Sequence, residues 1–202
     1  MGDSVLNHFG NWGGVLVFFI LYSIMIFFVP FYKKSQRKPT SVYIAFVLAY
    51  VLEMFGIPFS MYIIAWFFGF TLPDGILWGH TLNQYIGHLG MYIGILITII
   101  GISLVVIGWK NIYDNYWSKE KGKGKLVTSG IYAYIRHPQY TGFFLVTLGM
   151  ILEWATLTLL LMWPTLIILY YRLAKKEEED MLKEFGEDYK EYKKRTSMFL
   201  PI

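Results

Sequence analysis

The chain has no cysteine among its 202 residues. Disulfides, thiolate metal ligands, a cysteine nucleophile and a lipidated cysteine of its own are thereby excluded, and any thiol chemistry belongs to a substrate. Charge is scarce as well, at 16% of residues against 55% hydrophobic, and the apolar residues come in long blocks. A chain this apolar does not suit a soluble domain of its size and reads as a multi-span membrane protein. Glycine is abundant, yet Gly122 and Gly124 fit neither a phosphate loop nor a dinucleotide fingerprint, because no buried strand precedes them and no Lys-Ser/Thr follows. His80 and His88 lie eight apart without a companion acid or cysteine at ligand spacing. No metal site is expected from them, and no nucleic-acid partner. The beginning of the chain carries Asp3 and lacks a basic n-region, so residues 15–32 read as a retained first span, not a cleaved signal peptide.

What charge there is falls in a pattern. All 18 Lys and Arg lie in three groups: Lys33 to Lys38; Lys110 to Lys125 with Arg136; and Arg172 to Arg195. The positive-inside rule puts all three on the cytoplasmic side. Residues 1–11 and 71–83 hold only Asp3 and Asp74 as strongly charged residues, and should face out.

Residues 15–32 are long enough to cross a hydrocarbon core of about 30 Å. Residues 41–70 are longer and carry Glu53 and a Gly56-Ile57-Pro58 break; a single tilted or kinked crossing keeps the basic groups on one side. A third span, 84–109, is rich in glycine, with Gly87, Gly90, Gly94, Gly101 and Gly108 suited to close helix packing. Residues 140–171 are apolar apart from Glu153-Trp154. As one helix they would run about 48 Å, too long for a bilayer. With basic flanks on both sides the segment must go in and return, as a hairpin of two short helices turning near Glu153. Beyond Arg172 the spacing of Met181, Leu182, Phe185, Tyr189 and Tyr192 predicts an amphipathic helix, weakened locally by Gly186. The expected fold is all-α: a polytopic membrane protein with five transmembrane helices, the last two a short hairpin, plus a cytoplasmic C-terminal amphipathic helix. Residues 1–110 would hold spans one to three, and residues 111–202 the catalytic region.

The hairpin brings Tyr132, Arg136, His137 and Tyr140 at its start toward Arg172, Glu177 and Glu178 at its end. Cationic, aromatic and acidic groups would gather beside an apolar cleft at the cytoplasmic interface, an arrangement that suits an amphiphilic cofactor outside the bilayer and a lipid-like substrate inside it. An interfacial Arg-His can also simply snorkel, and acidic residues can be a solvated helix face.

The run Leu126-Val127-Thr128-Ser129-Gly130-Ile131-Tyr132, then Arg136-His137-Pro138-Gln139-Tyr140-Thr141-Gly142, Glu177-Glu178, Phe185-Gly186-Glu187-Asp188-Tyr189, Tyr192-Lys193-Lys194-Arg195 and Leu200-Pro201, resembles the isoprenylcysteine carboxyl methyltransferase family. The resemblance covers residues 125–201. It implies a membrane-embedded enzyme that transfers a methyl group from S-adenosylmethionine to the C-terminal carboxylate of a prenylated cysteine entering from the bilayer. It also implies cofactor contacts from Leu126, Val127, Tyr132, His137, Pro138, Gln139, Tyr140 and Glu177. The family pattern has a substrate-binding arginine about one turn before the acidic pair; here the position four before Glu177 is Leu173, and the nearest candidate for the catalytic, substrate-binding role is Arg172. A carboxylate nucleophile is already ionised, so alignment matters more than a base. Phospholipid amine N-methyltransferases and NADPH-dependent sterol reductases share similar C-terminal regions and are the alternative enzymatic readings; a membrane scaffold or small transporter is the non-enzymatic one. Membrane lipids are expected partners. The short stretch before the first span favours a prokaryotic cell membrane, with the N-terminus outside and the C-terminus in the cytoplasm.

Overall fold

A computed structural model describes residues 63, 66–69, 87–117, 125–153 and 157–201. The expected span at 15–32, most of that at 41–70, Glu53, the loop at 71–83 and the lysine-rich stretch 119–124 lie outside the described residues. The chain divides into two compact units, Met1–Gly79 and His80–Ile202. In the first, positions 63 and 66–68 are helical, and the Trp66 and Phe67 rings meet edge to face with centroids 4.7 Å apart.

The second unit is helical, with no strand among the described residues. It runs α1 (His88–Ile112), a π-helical turn (Tyr113–Trp117), a 3-10 turn (Gly130–Ala133), α2 (Pro138–Glu153) and α3 (Leu157–Arg195). The third expected span is therefore present as α1. Among the described residues, Leu89–Tyr116 is the one stretch long and apolar enough to cross a membrane. Its apolar character runs all the way round: Leu89, Tyr92, Leu96, Ile99 and Val106 are exposed, while only Gly90, Gly94, Thr98, Gly101, Val105 and Gly108 are buried. A helix greasy on every side, of which the described residues cover one stripe, is suited to apolar surroundings on the rest.

The buried stripe explains the glycines. Gly94, Gly101 and Gly108 recur every seven residues on α1, as Gly142 and Gly149 do on α2, and a seven-residue repeat keeps one seam facing the partner helix. The helices run antiparallel, with Gly94 opposite Gly149 and Gly101 opposite Gly142. A Cβ on Gly101 would stand 2.7 Å from the Gly142 carbonyl oxygen, and a Cβ on Gly142 2.6 Å from that of Gly101. Backbone, not a flexible side chain, fills the space. At one end Thr98 Oγ1 donates to Glu153 Oε1 at 3.1 Å, satisfying the acid at the end of α2; at the other, Pro138 and Gln139 pack over Gly108.

α2 ends at Glu153 and α3 starts at Leu157, so the chain turns back where the Glu153-Trp154 interruption predicted. The amphipathic segment beyond Arg172 is not a separate helix: it continues α3. Gly186, at φ 54° and ψ −122°, breaks the helical geometry inside it, a left-handed conformation that glycine adopts without steric cost. The bend changes which side chains pack. Tyr189 and Tyr192 are buried, Met181 and Phe185 half-buried, and Leu182, expected on the same face, is exposed.

Because the seam leaves no room for a methyl group, Gly142→Ala is expected to lower stability by about 1–3 kcal/mol, the usual cost of overpacking. Ile99→Ala, on the outward side of α1, should cost less. Thermal unfolding of the detergent-purified protein measures both.

Candidate active site

Proline dictates the local structure at the start of α2. Pro138 occupies the first helical position, where a missing N–H costs nothing, and it biases His137 before it toward extended backbone. Residues 135–137 consequently lie straight enough to pair with the end of the chain. Arg136 N–H donates to Ser197 O at 2.9 Å and His137 N–H to Met198 O at 3.1 Å, around a single parallel bridge between Ile135 and Ser197. Thr141 Oγ1 donates to Phe199 O at 2.7 Å. The preceding 3-10 turn begins at Gly130, φ 62°, where a Cβ would meet the Asn111 side-chain amide at 2.6 Å.

The hairpin closes as expected. Trp163 Nε1 donates to Thr147 Oγ1 at 3.1 Å, and the Tyr170 ring contacts Tyr140 and Phe144 and stacks on Phe143, with centroids 5.7 Å apart in each case. One turn and more beyond Tyr170, Tyr140 OH donates to Glu177 Oε1 at 2.8 Å. His137, 8% exposed, lies between the two glutamates, Nδ1 3.8 Å from Glu177 Oε2 and Nε2 3.5 Å from Glu178 Oε1. Its Nε2 is buried and has no hydrogen-bond partner.

Glu178, 3% exposed, is the most enclosed charge of the group. Arg136 grips Oε1 with Nε at 2.8 Å and Nη2 at 2.7 Å, while Lys193 Nζ stands 2.7 Å from Oε2. Burial pushes this carboxyl up, but the contacts from His137, Lys193 and Arg136 outweigh it and hold the group well below the usual carboxylate range. Arg136 Nη1 also donates to the carbonyls of Lys193, at 3.2 Å, and Thr196. Around the cluster Tyr132 OH donates to Gly108 O at 3.3 Å, and Tyr192 OH to Tyr132 O at 2.7 Å. Burial first, then the neighbouring Tyr192 and Glu177, raises the Tyr132 hydroxyl well above its ordinary value; burial likewise raises Tyr189 and Tyr192. All three remain neutral, and Tyr132 and Tyr192 act as donors.

Of the residues singled out in the sequence, His137, Tyr140 and Glu177 converge here, and Tyr132 backs them. Pro138 and Gln139 form the floor against Gly108. Leu126 and Val127 are half-buried. Leu126 lines a groove of about 540 Å³ with Lys125, Phe185, Asp188 and Arg195, in which no residue of the His137 cluster takes part. Arg172 is exposed and lies roughly half a helical turn round from the buried Tyr170 and Ala174. Lys193 and the terminal segment 196–199 were not expected at the site. Lys193 falls in the Tyr192–Arg195 motif, whereas residues 196–199 fall in none, and nothing in local periodicity says that the end of the chain folds back.

Residues 83–188, more than half of the chain, match the profile of a family described as phospholipid methyltransferase. The chain is 33% identical over 86 residues to the protein-S-isoprenylcysteine O-methyltransferase of Schizosaccharomyces pombe, covering 42% of this chain and 36% of that protein. It is 38% identical over 78 residues to the human protein of the same name, covering 38% of this chain and 28% of that one. A methanethiol S-methyltransferase of Crocosphaera subtropica is 30% identical over 99 residues, covering 47% of this chain and 36% of that protein. The matched stretch thus spans about a third of the length of these curated relatives.

The depressed acidity of Glu178 sets a pH dependence. Its folded value lies below the ordinary 4.5, so its contribution to stability is present above that pH and is lost as pH falls through the range beneath it. The melting temperature should drop on acidification from about pH 5 to about pH 3. In Glu178→Gln it should start lower at neutral pH and fall less steeply over that range.

Proposed function

The chain belongs to the phospholipid methyltransferase family, and on that premise we propose that it is a membrane-embedded methyltransferase using S-adenosylmethionine, with the C-terminal carboxylate of a prenylated cysteine as acceptor. The observation that carries the reading is the meeting of His137, Tyr140 and Glu177 where the α2–α3 hairpin closes. Glu177, part-exposed beside His137 Nδ1 and the Tyr140 hydroxyl, fits a ligand that carries both polar donors and an acceptor. The amino-acid portion of S-adenosylmethionine is such a group.

When bound, the cofactor supplies a methyl group on a positively charged sulfur. His137 would hold its carboxylate end and Glu177 one of its polar donors, while Tyr140, itself fixed by Glu177, would wall the pocket. From the resemblance, Leu126, Val127, Tyr132, Pro138 and Gln139 complete the contacts. No strong base is required, because the carboxylate acceptor arrives ionised; the chain's task is to align it and exclude water. His137, with each ring nitrogen turned toward a carboxylate, is placed as a donor and not as a base. Arg172 would orient the acceptor carboxylate through charge-assisted hydrogen bonds. Its exposure on a free side of α3 suits a group that acquires its partner with the substrate. The same reading takes the chain as five spans in a cell membrane, cytoplasmic at its C-terminus, with residues 111–202 as the catalytic region.

Calorimetric titration of the detergent-purified protein with S-adenosylhomocysteine tests the cofactor assignment. Micromolar binding is expected, with no binding of NADPH, and both His137→Ala and Glu177→Gln should weaken it at least about tenfold, the loss of one charge-assisted contact. Binding of NADPH alone would sink the assignment. For the acceptor, Arg172→Ala should cut turnover of a prenylcysteine substrate while leaving S-adenosylhomocysteine affinity unchanged; unaltered turnover would remove Arg172 from the role.

A further inference from the structure

The two adjacent glutamates are in different situations. Glu177 retains 17% side-chain exposure and faces Tyr140 and His137. The Glu178 side chain retains 2%, and both of its oxygens have close neighbours: Arg136 and the His137 ring at Oε1, Lys193 at Oε2. A carboxylate so surrounded has little left to offer a ligand.

What Glu178 does hold is the end of the chain. The Arg136 guanidinium, fixed by Glu178 along one edge, donates through Nη1 to the carbonyls of Lys193 and Thr196, where α3 gives way to the terminal segment. Lys193 ties the same turn to Glu178 from the other oxygen. Residues 197–199 then lie across the start of α2 by the two backbone hydrogen bonds from Arg136 and His137 and the one from Thr141. Phe199 places its ring 6.0 Å from that of His137, 5.2 Å from Phe144 and 6.3 Å from Tyr171. The backbone of His137 is thus pinned from one side by Pro138 and from the other by a strap anchored on a buried charge.

We propose that Glu178 is a positioning residue, not a cofactor ligand: through Arg136 and Lys193 it locks residues 196–199 across the start of α2, and this strap fixes the pose of His137. The proposal rests on the methyltransferase reading for what His137 binds, but not for the strap itself. It separates the glutamate pair into one residue that faces the cofactor and one that holds the frame.

A double-mutant cycle with two readouts tests it. One arm is Glu178→Gln; the other is the full-length strap variant Thr141→Val/Phe199→Ala, which removes a side-chain anchor and the covering ring without touching the charge cluster. Hydrogen exchange reports the Arg136 and His137 amides, which the strap protects, with α1 and α2 amides as the measure of an intact fold. Each arm should speed exchange of those two amides at least about tenfold and raise the dissociation constant for S-adenosylhomocysteine at least about tenfold, and the combination should add little, because both act through one element. Unchanged exchange in Glu178→Gln overturns the proposal. So does a combined loss equal to the product of the two, which would make Glu178 a direct ligand. If Glu178→Gln loses α1 and α2 protection, Arg136→Lys, which keeps the charge beside Glu178 and loses the fork, is read by the same criteria. Failure of the unmodified protein to bind S-adenosylhomocysteine would refute the functional reading while the exchange data still decide the strap.

Discussion

A single buried carboxylate ties together the start of α2, the later part of α3 and the end of the chain. Taking a charge out of water is costly, and Glu178 is tolerable only because a bidentate arginine, a lysine and a histidine offset that cost together. Those partners come from different places in the chain: Arg136 and His137 precede α2, Lys193 lies beyond the bend of α3. Satisfying one charge therefore fixes three segments at once. Arg136 extends the constraint, since its planar fork has donors left over for backbone carbonyls at the end of α3. A lysine there would supply the charge without the geometry.

The other constraint is the seam between α1 and α2. With no difference in apolarity between lipid and side chain, helices in a membrane gain little from hydrophobic burial against each other and depend on close packing. Glycines repeating every seven residues supply it. The approach they permit has a consequence at the end of the seam, where Gly108 lies under Pro138 and its carbonyl receives the Tyr132 hydroxyl. The glycine spacing in the apolar span thus determines where the polar residues after it sit. Position in the site is inherited from packing outside it.

Most of this frame was legible in the sequence. The third span, the hairpin turn at Glu153 and the weak point at Gly186 follow from apolar run lengths, basic flanks and the conformational freedom of glycine. The approach of His137 and Tyr140 to Glu177 follows from the hairpin alone, since its two ends must meet. What could not be read was any feature decided by tertiary contact. The continuity of α3 across Arg172 has no local signature, because a helix can pass from apolar to charged composition without a cap. The exposure of Leu182, expected on the buried face, has no signature in the local spacing. The return of residues 196–199 depends on backbone carbonyls, which every residue has. Arg172 shows the limit from the other direction: proximity in sequence to the acidic pair says nothing of which side of the helix it occupies.

The electrostatics also bear on the proposed chemistry. Arg136 and Lys193 are committed to Glu178, so neither is at liberty to bind an incoming anion, while Glu177, less enclosed than Glu178, is the carboxylate better placed to meet a ligand. A site built this way can seat a zwitterion but offers no spare cation to an anionic acceptor. On the proposed reading, a carboxylate approaching a positively charged sulfur needs little help from the protein to be attracted, because the two charges cancel as the methyl moves and a dry site favours their cancellation. What the acceptor needs is direction. On that reading an exposed arginine, Arg172, would give it without competing for the buried glutamates: cations inside the cluster hold the frame, and a cation outside it would handle the substrate.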